Sequence, residues 1–334
     1  MTAWKVARRN VLIWSLPLAL ATFSGRATGG VSPARIGWLK IQGRQHTPGQ
    51  LRAFREGMHS LDMEEGRDYV LEERYADGDE SRLQGLAKEL IAAGVIVIVA
   101  TSQPSIAAAA QVTHSVPIIG RMVDEPVANG MAQSLARPGG NVTGVYTMTD
   151  EMSPKRLALL KEAVPSMSRT GVLLRTDFPN PKSAEHAWQT AVAAAQALSV
   201  QLVALNARSA KDLTAAFGRA SAEHLQGIIT FRNPTVVTYL KLITESCAKY
   251  RLPAMFDARE YVEAGGLMSY GPNIDATYRQ LAGFAVKLIR GTRPGEIPIE
   301  QPTIFELIVN KRTAVTLGVT LPEALLAEAD KLIE

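Results

Sequence analysis

Apolar residues along this chain switch repeatedly between two spacings. Short runs of strand character alternate with longer stretches of helical period. Ala34 to Ile41 reads as a strand. Thr47-Pro48 then starts a helix, with Thr as N-cap and Pro at N1, where its missing N–H costs nothing. Leu51, Phe54, Met58 and Leu61 follow at helical spacing, and Tyr69 to Tyr75 alternates like a strand. Asp79 caps a second helix that Gly94 ends. Val95 to Val99 is a continuous apolar run, as in a parallel strand buried on both faces. A helix from Pro104 and strands at Pro117–Gly120 and Val142–Tyr146 complete this series.

The order then repeats. Ser153-Pro154 starts a helix, and strands are expected at Thr170–Leu174, Gln201–Leu205, Gly227–Thr230 and Pro253–Phe256. Helices lie between them, around 183–198, 210–222 and 234–250. A tail adds a strand at Leu267–Tyr270, a helix at Ile274–Arg290, a strand at Phe305–Val309 and a helix from Pro322 to Ile333. Two successive β/α series predict an α/β fold of two doubly wound, parallel-sheet lobes. The tail's own strand–helix pairs can complete both lobes, so the chain would cross between them more than once.

The first residues stand outside this pattern. Lys5, Arg8 and Arg9 form a basic start, Val11 to Phe23 is uncharged and mostly apolar, and Ser24-Gly25-Arg26-Ala27 is mostly small. That is the layout of an export signal over 1–27, with cleavage expected near Ala27 and the body free in the periplasm. Arg8-Arg9 fits either an ordinary basic start or the twin-arginine route. The apolar run falls short of the ~20 residues a membrane span needs, and Pro17 interrupts it.

Charge then changes the picture. Lys and Arg number 36 and Asp and Glu 32, which suggests a basic protein. The four basic residues Lys5, Arg8, Arg9 and Arg26 all lie in the leader, which holds no acid, so the mature balance is 32 against 32. A neutral body has no general pull on phosphate backbones, and no nucleic-acid partner is expected. Cys247 is the one cysteine, so no intramolecular disulfide forms and lipid attachment at the leader is excluded.

No dinucleotide, P-loop or nucleophile-elbow motif occurs, and Pro138-Gly139-Gly140-Asn141 precedes a strand, so it reads as a turn. The five histidines are scattered without metal-ligand spacing. His59, His114, His186 and His224 fall on or at the ends of helices; His46, after the first strand, is the histidine placed for a cleft. No cofactor or metal is expected, and no nucleophile–base pair can be nominated.

Two junctions match each other. Val95–Ala100 runs through Thr101-Ser102-Gln103 to Pro104 and a helix; Gly227–Thr230 runs through Phe231-Arg232-Asn233 to Pro234 and a helix. Each is equally a good helix start and a potential ligand site, since open α/β sheets bind outside the carboxyl ends of their strands.

Several segments together carry a family resemblance. They are Phe54–Met58 with Glu65–Tyr69, Val123–Pro126 with Ser134–Gly144, Ala264–Gly271, Pro298–Asn310, Leu317–Pro322 and Ala329–Glu334. The chain resembles the ABC-transporter substrate-binding proteins of the tryptophan-binding-like branch, which have a type I periplasmic binding fold. The resemblance implies one lobe over 32–147 plus 273–299 and another over 148–271 plus 303–334. It implies a first-lobe wall from Gln42, Gly43, Thr101, Ser102, Gln103, Val123 and Asp124. The hinge would lie near Tyr146, Tyr270 and 300–303, and the second lobe would contribute Asp177, Phe178, Asn233 and Asp257. Thr101 and Ser102 match the place where amino-acid-binding relatives hold a carboxylate, a role that hydroxyls and free N–H groups suit.

Arg121, Arg175 and Arg232 depart from the small, apolar or amide residues expected at these places in the family. Each lies at or just after the carboxyl end of a strand. Either they reach solvent, with Arg121 pairing to Asp124 or Glu125, or guanidinium groups converge on an anion. The expected function is capture of a small organic solute, an amino acid or an aromatic or carboxylic acid, for an inner-membrane ABC permease, by a monomer without enzymatic activity. A ligand-sensing domain acting with a signalling partner is the alternative, and a periplasmic enzyme a third reading.

Overall fold

Strands and helices alternate as the apolar pattern predicts, and they sort into two sheets. The structure, a computed structural model, describes residues 32–45, 48–123, 125–148, 151–175 and 181–334. The leader, His46, Thr47, Asp124, Asp177 and Phe178 lie outside the described residues.

The first sheet is built from β1 (Ala34–Lys40), α1 (Pro48–His59), β2 (Tyr69–Tyr75), α2 (Leu83–Ala92), β3 (Val97–Ala100), α3 (Gln103–Val112), β4 (Ile118–Met122) and β5 (Val142–Tyr146). Its strands run in the order β2-β1-β3-β4-β5, all parallel. The chain then enters a second sheet through α4 (Ser153–Ala163), β6 (Arg169–Leu174), α5 (Pro181–Ala197), β7 (Gln201–Asn206), α6 (Ala210–Ala222), β8 (Ile228–Thr230), α7 (Pro234–Thr238), α8 (Leu240–Lys249), β9 (Ala254–Phe256), α9 (Arg259–Glu263) and β10 (Met268–Pro272). α10 (Ile274–Ile289) returns to the first sheet and packs along α1. β11 (Phe305–Asn310), α11 (Lys311–Leu317), α12 (Glu323–Glu328) and β12 (Lys331–Ile333) go back to the second, whose order is β12-β11-β10-β9-β8-β6-β7.

Three details depart from the sequence reading. β10 and β11 pair antiparallel, so the second sheet is not wholly parallel. β10 leaves its sheet for α10, and the chain comes back at that same end, so β11 must run the other way. The helix expected over Pro322–Ile333 stops at Glu328, and Lys331–Ile333 pairs with β11 instead. Asp330 starts that pairing by exchanging hydrogen bonds with Leu307, satisfying an otherwise open strand edge. The helix expected over 234–250 is two helices, broken at Tyr239, whose φ of −103° and ψ of 28° are not helical.

Packing explains the double return of the tail. Tyr278, Leu281, Ala282, Phe284 and Ala285 of α10 are buried with Phe54 and Met58 of α1 and Trp38 and Val99 of the sheet. Burying each such large side chain contributes roughly 1.5–3 kcal/mol. The helices approach so closely that a Cβ on Gly57 would lie 2.7 Å from the Arg279 carbonyl oxygen. Beside this core, Glu300 forms an isolated parallel bridge to Val145, with Tyr146 N–H donating to the Glu300 carbonyl (2.9 Å) and Glu300 N–H to that of Gly144 (3.0 Å). The link from α10 to β11 is thereby tied to the edge of the first sheet.

Candidate functional site

Two charged residues interrupt the buried strands of the first sheet at their carboxyl ends. Lys40 ends β1 and is 3% exposed; Arg121 lies in β4 and is 5% exposed. Alternation along a strand places Lys40 on the face of Trp38 and Arg121 on that of Ile119, the face that α10 covers. Tyr278 of α10 lies against Arg121, whose guanidinium hydrogen-bonds its hydroxyl; its ring is 5.7 Å from that of Trp38, and its hydroxyl donates to the Thr101 carbonyl oxygen at 3.4 Å.

The second sheet supplies the facing group. Arg232 follows β8 and donates from Nη1 to Asp257 Oδ2 at 2.6 Å, with Asp257 just past β9. Their side chains are 14% and 1% exposed. Glu260 and Tyr261 come from α9. A Cβ on Gly271 of β10 would meet the Asp257 carbonyl oxygen at 2.1 Å, so only glycine lets this segment sit so close. Arg156 of α4, also buried, donates from Nε to the Tyr270 carbonyl (2.7 Å) and acts electrostatically on Asp257.

Electrostatics link the two halves. Burial lowers the Arg121 pKa from its usual value, and Arg232 across the gap lowers it further. Burial, with Arg121 adding to it and Glu260 opposing, pulls the Lys40 ammonium down to about 8. Burial works against charge at Asp257, yet Arg232 and Arg156 hold its carboxyl below the usual range. Burial and the Asp257 carboxylate push the Tyr261 hydroxyl well up. Groups from β1 and β4 thus feel groups from β8, β9 and α9.

Several polar atoms here are buried and lack a hydrogen-bond partner: Arg121 Nε, Asp257 Oδ1, Thr230 Oγ1, Glu260 Oε2 and the Tyr261 hydroxyl. An unsatisfied buried donor or acceptor costs about 1–3 kcal/mol, more when charged. Arg121 on the first sheet and Asp257 on the second, linked through Arg232, therefore both keep hydrogen-bonding capacity to spare.

Other residues singled out in the sequence hold the protein's own backbone. Ser102 caps α3, accepting from Ser105 N–H at 3.4 Å, and Thr101 Oγ1 donates to the Leu39 carbonyl at 3.4 Å. Gln103 Oε1 accepts from Val123 N–H at 3.3 Å. Asn233 caps α7, accepting from Val236 N–H (3.1 Å) and donating to the Phe231 carbonyl (2.9 Å). Gln42 and Gly43 follow β1, half-buried and buried. The Tyr146 hydroxyl hydrogen-bonds the Glu151 carboxylate, and the Tyr270 ring stacks on Phe305 at 6.2 Å. Arg175 follows β6 and is half-buried. Of the three arginines, Arg121 and Arg232 come together. Sequence reasoning missed Lys40, Glu260, Tyr261 and Tyr278; a lysine on the same face as Ile36 and Trp38 was the available signal for the first.

Two sheets crossed repeatedly by the chain, with polar groups gathered at the carboxyl ends of both, define a type I periplasmic binding fold. The chain belongs to the ABC transporter substrate binding protein family, whose model matches residues 48–333. A tyrosine-binding protein of Clostridioides difficile is 22% identical over 80% of this chain and 75% of its own. An ABC domain in complex with L-Trp from Streptococcus pneumonia superposes with a TM-score of 0.81 at 21% identity, covering 90% of this chain and 100% of that one. A conserved domain protein from Vibrio cholerae gives 0.79 at 23% identity, over 90% and 99%. Among the described residues no helix is long and apolar enough to cross a membrane, and no His/Cys/Asp/Glu group could hold a metal ion.

Proposed function

We propose that this protein is exported to the periplasm, captures a small organic solute between its two sheets and presents it to an ABC permease without altering it. The lobes would be 32–147 with 273–299 and 148–271 with 303–334, joined by the segments that run between the sheets. One observation carries the reading: Arg121 of the first sheet, which feels Arg232 of the second, and Asp257, bonded to that same Arg232, each keep a buried polar atom without a hydrogen-bond partner. A solute carrying a carboxylate and further polar groups would satisfy them. The relatives named for tyrosine binding and solved with L-Trp support an amino acid or an aromatic or carboxylic acid as the class.

The residues proposed to line the site are Gln42, Gly43, Thr101, Arg121, Arg232 and Asp257, with His46, Asp124, Asp177 and Phe178 as candidates outside the described residues. The test is a thermal-shift screen of amino acids, aromatic acids and dicarboxylates, followed by calorimetry on each hit. A ligand at 100 times its Kd stabilises by about 2.7 kcal/mol, and the solute should be recovered unchanged. No shift across the panel would refute the receptor reading, and a converted solute would replace it with an enzymatic one.

A further inference from the structure

We infer that the solute is an organic anion whose carboxylate is received by Arg121 from the first sheet, rather than a neutral amino acid held by the hydroxyls of Thr101 and Ser102. This rests on the receptor reading above and specifies its substrate class.

The two sheets leave their cations in different states. Arg232 is already matched, 2.6 Å from Asp257. Arg121 is 95% buried, as its 5% exposure implies, and its Nε has no hydrogen-bond partner. Guanidinium presents its donors as a planar fork that fits a carboxylate in two parallel hydrogen bonds. Lys40 lies close enough for Arg121 to disfavour its charge, so two buried cations share one side of the site. An anion beside Arg121 would meet a buried guanidinium with a donor to spare. The hydroxyls of Thr101 and Ser102 are meanwhile committed to Leu39 and Ser105. On the other side, Asp257 Oδ1, Glu260 Oε2 and the Tyr261 hydroxyl have no partner and can each accept a hydrogen bond, which fits hydroxyl or amino donors on the same anion.

The probes are matched pairs in which an amide replaces one carboxylate: phenylpyruvate against phenylpyruvamide, L-glutamate against L-glutamine, and L-malate against its monoamide, with L-tyrosine and L-tryptophan as zwitterions. Calorimetry is run on the full mature chain and on its Arg121→Gln and Arg121→Lys variants, each first checked for a cooperative thermal transition. The inference expects at least one of the more anionic members to bind 100-fold more tightly than its amide partner. Arg121→Gln should lose that preference, and Arg121→Lys should keep part of it. Tight binding of L-tyrosine or L-tryptophan that survives Arg121→Gln would overturn the inference and leave the receptor reading standing. No binding by any probe would overturn both. If Arg121→Gln fails to fold, a carboxylate preference of the parent that Arg121→Lys leaves intact decides against the guanidinium, and one that falls tenfold or more decides for it.

Discussion

On the second sheet a buried cation has a partner at hydrogen-bond distance, Arg232 with Asp257. On the first, Lys40 and Arg121 are buried side by side, and the guanidinium disfavours the ammonium's charge. The same fold, repeated, thus holds its charges in two ways. Arg232 and Asp257 offset each other's desolvation and fix the loops after β8 and β9. Arg121 instead keeps its buried Nε without a hydrogen-bond partner, and that donor is what an anionic solute can engage. Strained or unsatisfied groups concentrate where function lies.

The largest effect should come from breaking the matched pair. Asp257→Ala leaves Arg232 buried without its partner and should destabilise by about 3–5 kcal/mol in denaturant titration. Replacing both with apolar residues, Arg232→Met with Asp257→Leu, should cost clearly less, because no charge is stranded. Equal losses for the single and double variants would show that the pair is not the organising contact.

Lys40→Met should act in the opposite direction, stabilising the ligand-free protein. With the ammonium held at about 8 against an ordinary 10.4, the buried charge costs about 3 kcal/mol as an upper figure. The sign follows from proton counting. Between pH 8 and 10 the unfolded chain keeps the Lys40 proton while the folded one has shed much of it, so stability rises with pH in that window. The parent should therefore gain stability from pH 8 to 10 relative to Lys40→Met, and parallel profiles would contradict the shifted lysine. An anion beside Lys40 raises its pKa again, so binding at pH 9 should take up a fraction of a proton, read as a buffer-dependent calorimetric enthalpy.

The sheet series, the helix starts and the return of the tail to both sheets were legible in the chain, because β-branched runs and Pro-initiated helices are local signals. The second Pro-initiated start shows the limit. Phe231-Arg232-Asn233-Pro234 is a helix start in both sequence and structure, with Asn233 as its cap and Arg232 in an ion pair. Which side chain does which is settled by Asp257, 25 residues further on, as the separation of the bonded pair records. Lys40 and Tyr278 escaped notice for a related reason. Tyr278 reaches Arg121 because α10 crosses back to the first sheet, and Lys40 meets Arg121 and Glu260 across strands and sheets, which nothing local in β1 announces. The end of the chain misled in the other direction: Pro322 and the apolar residues after it suggest a helix to Ile333, while the open edge of β11 captures Lys331–Ile333 as a strand.

The smallest effects concern the two junctions. Ser102→Ala and Asn233→Ala each remove an N-cap and should cost about 1 kcal/mol in thermal unfolding. If Ser102 only caps α3, its variant keeps the parent's solute affinity once the stability loss is allowed for. A hundredfold loss of affinity would place the carboxylate on that hydroxyl instead of on Arg121.

The most direct test is a crystal structure of the mature chain with its tightest-binding solute. The account predicts a molecule enclosed between the sheets, with a carboxylate in paired hydrogen bonds to Arg121 and donors directed at Asp257 and Tyr261. A solute bound there with its carboxylate on Ser102 and Arg121 out of reach would contradict it, and a solute bound outside the two sheets would contradict it entirely.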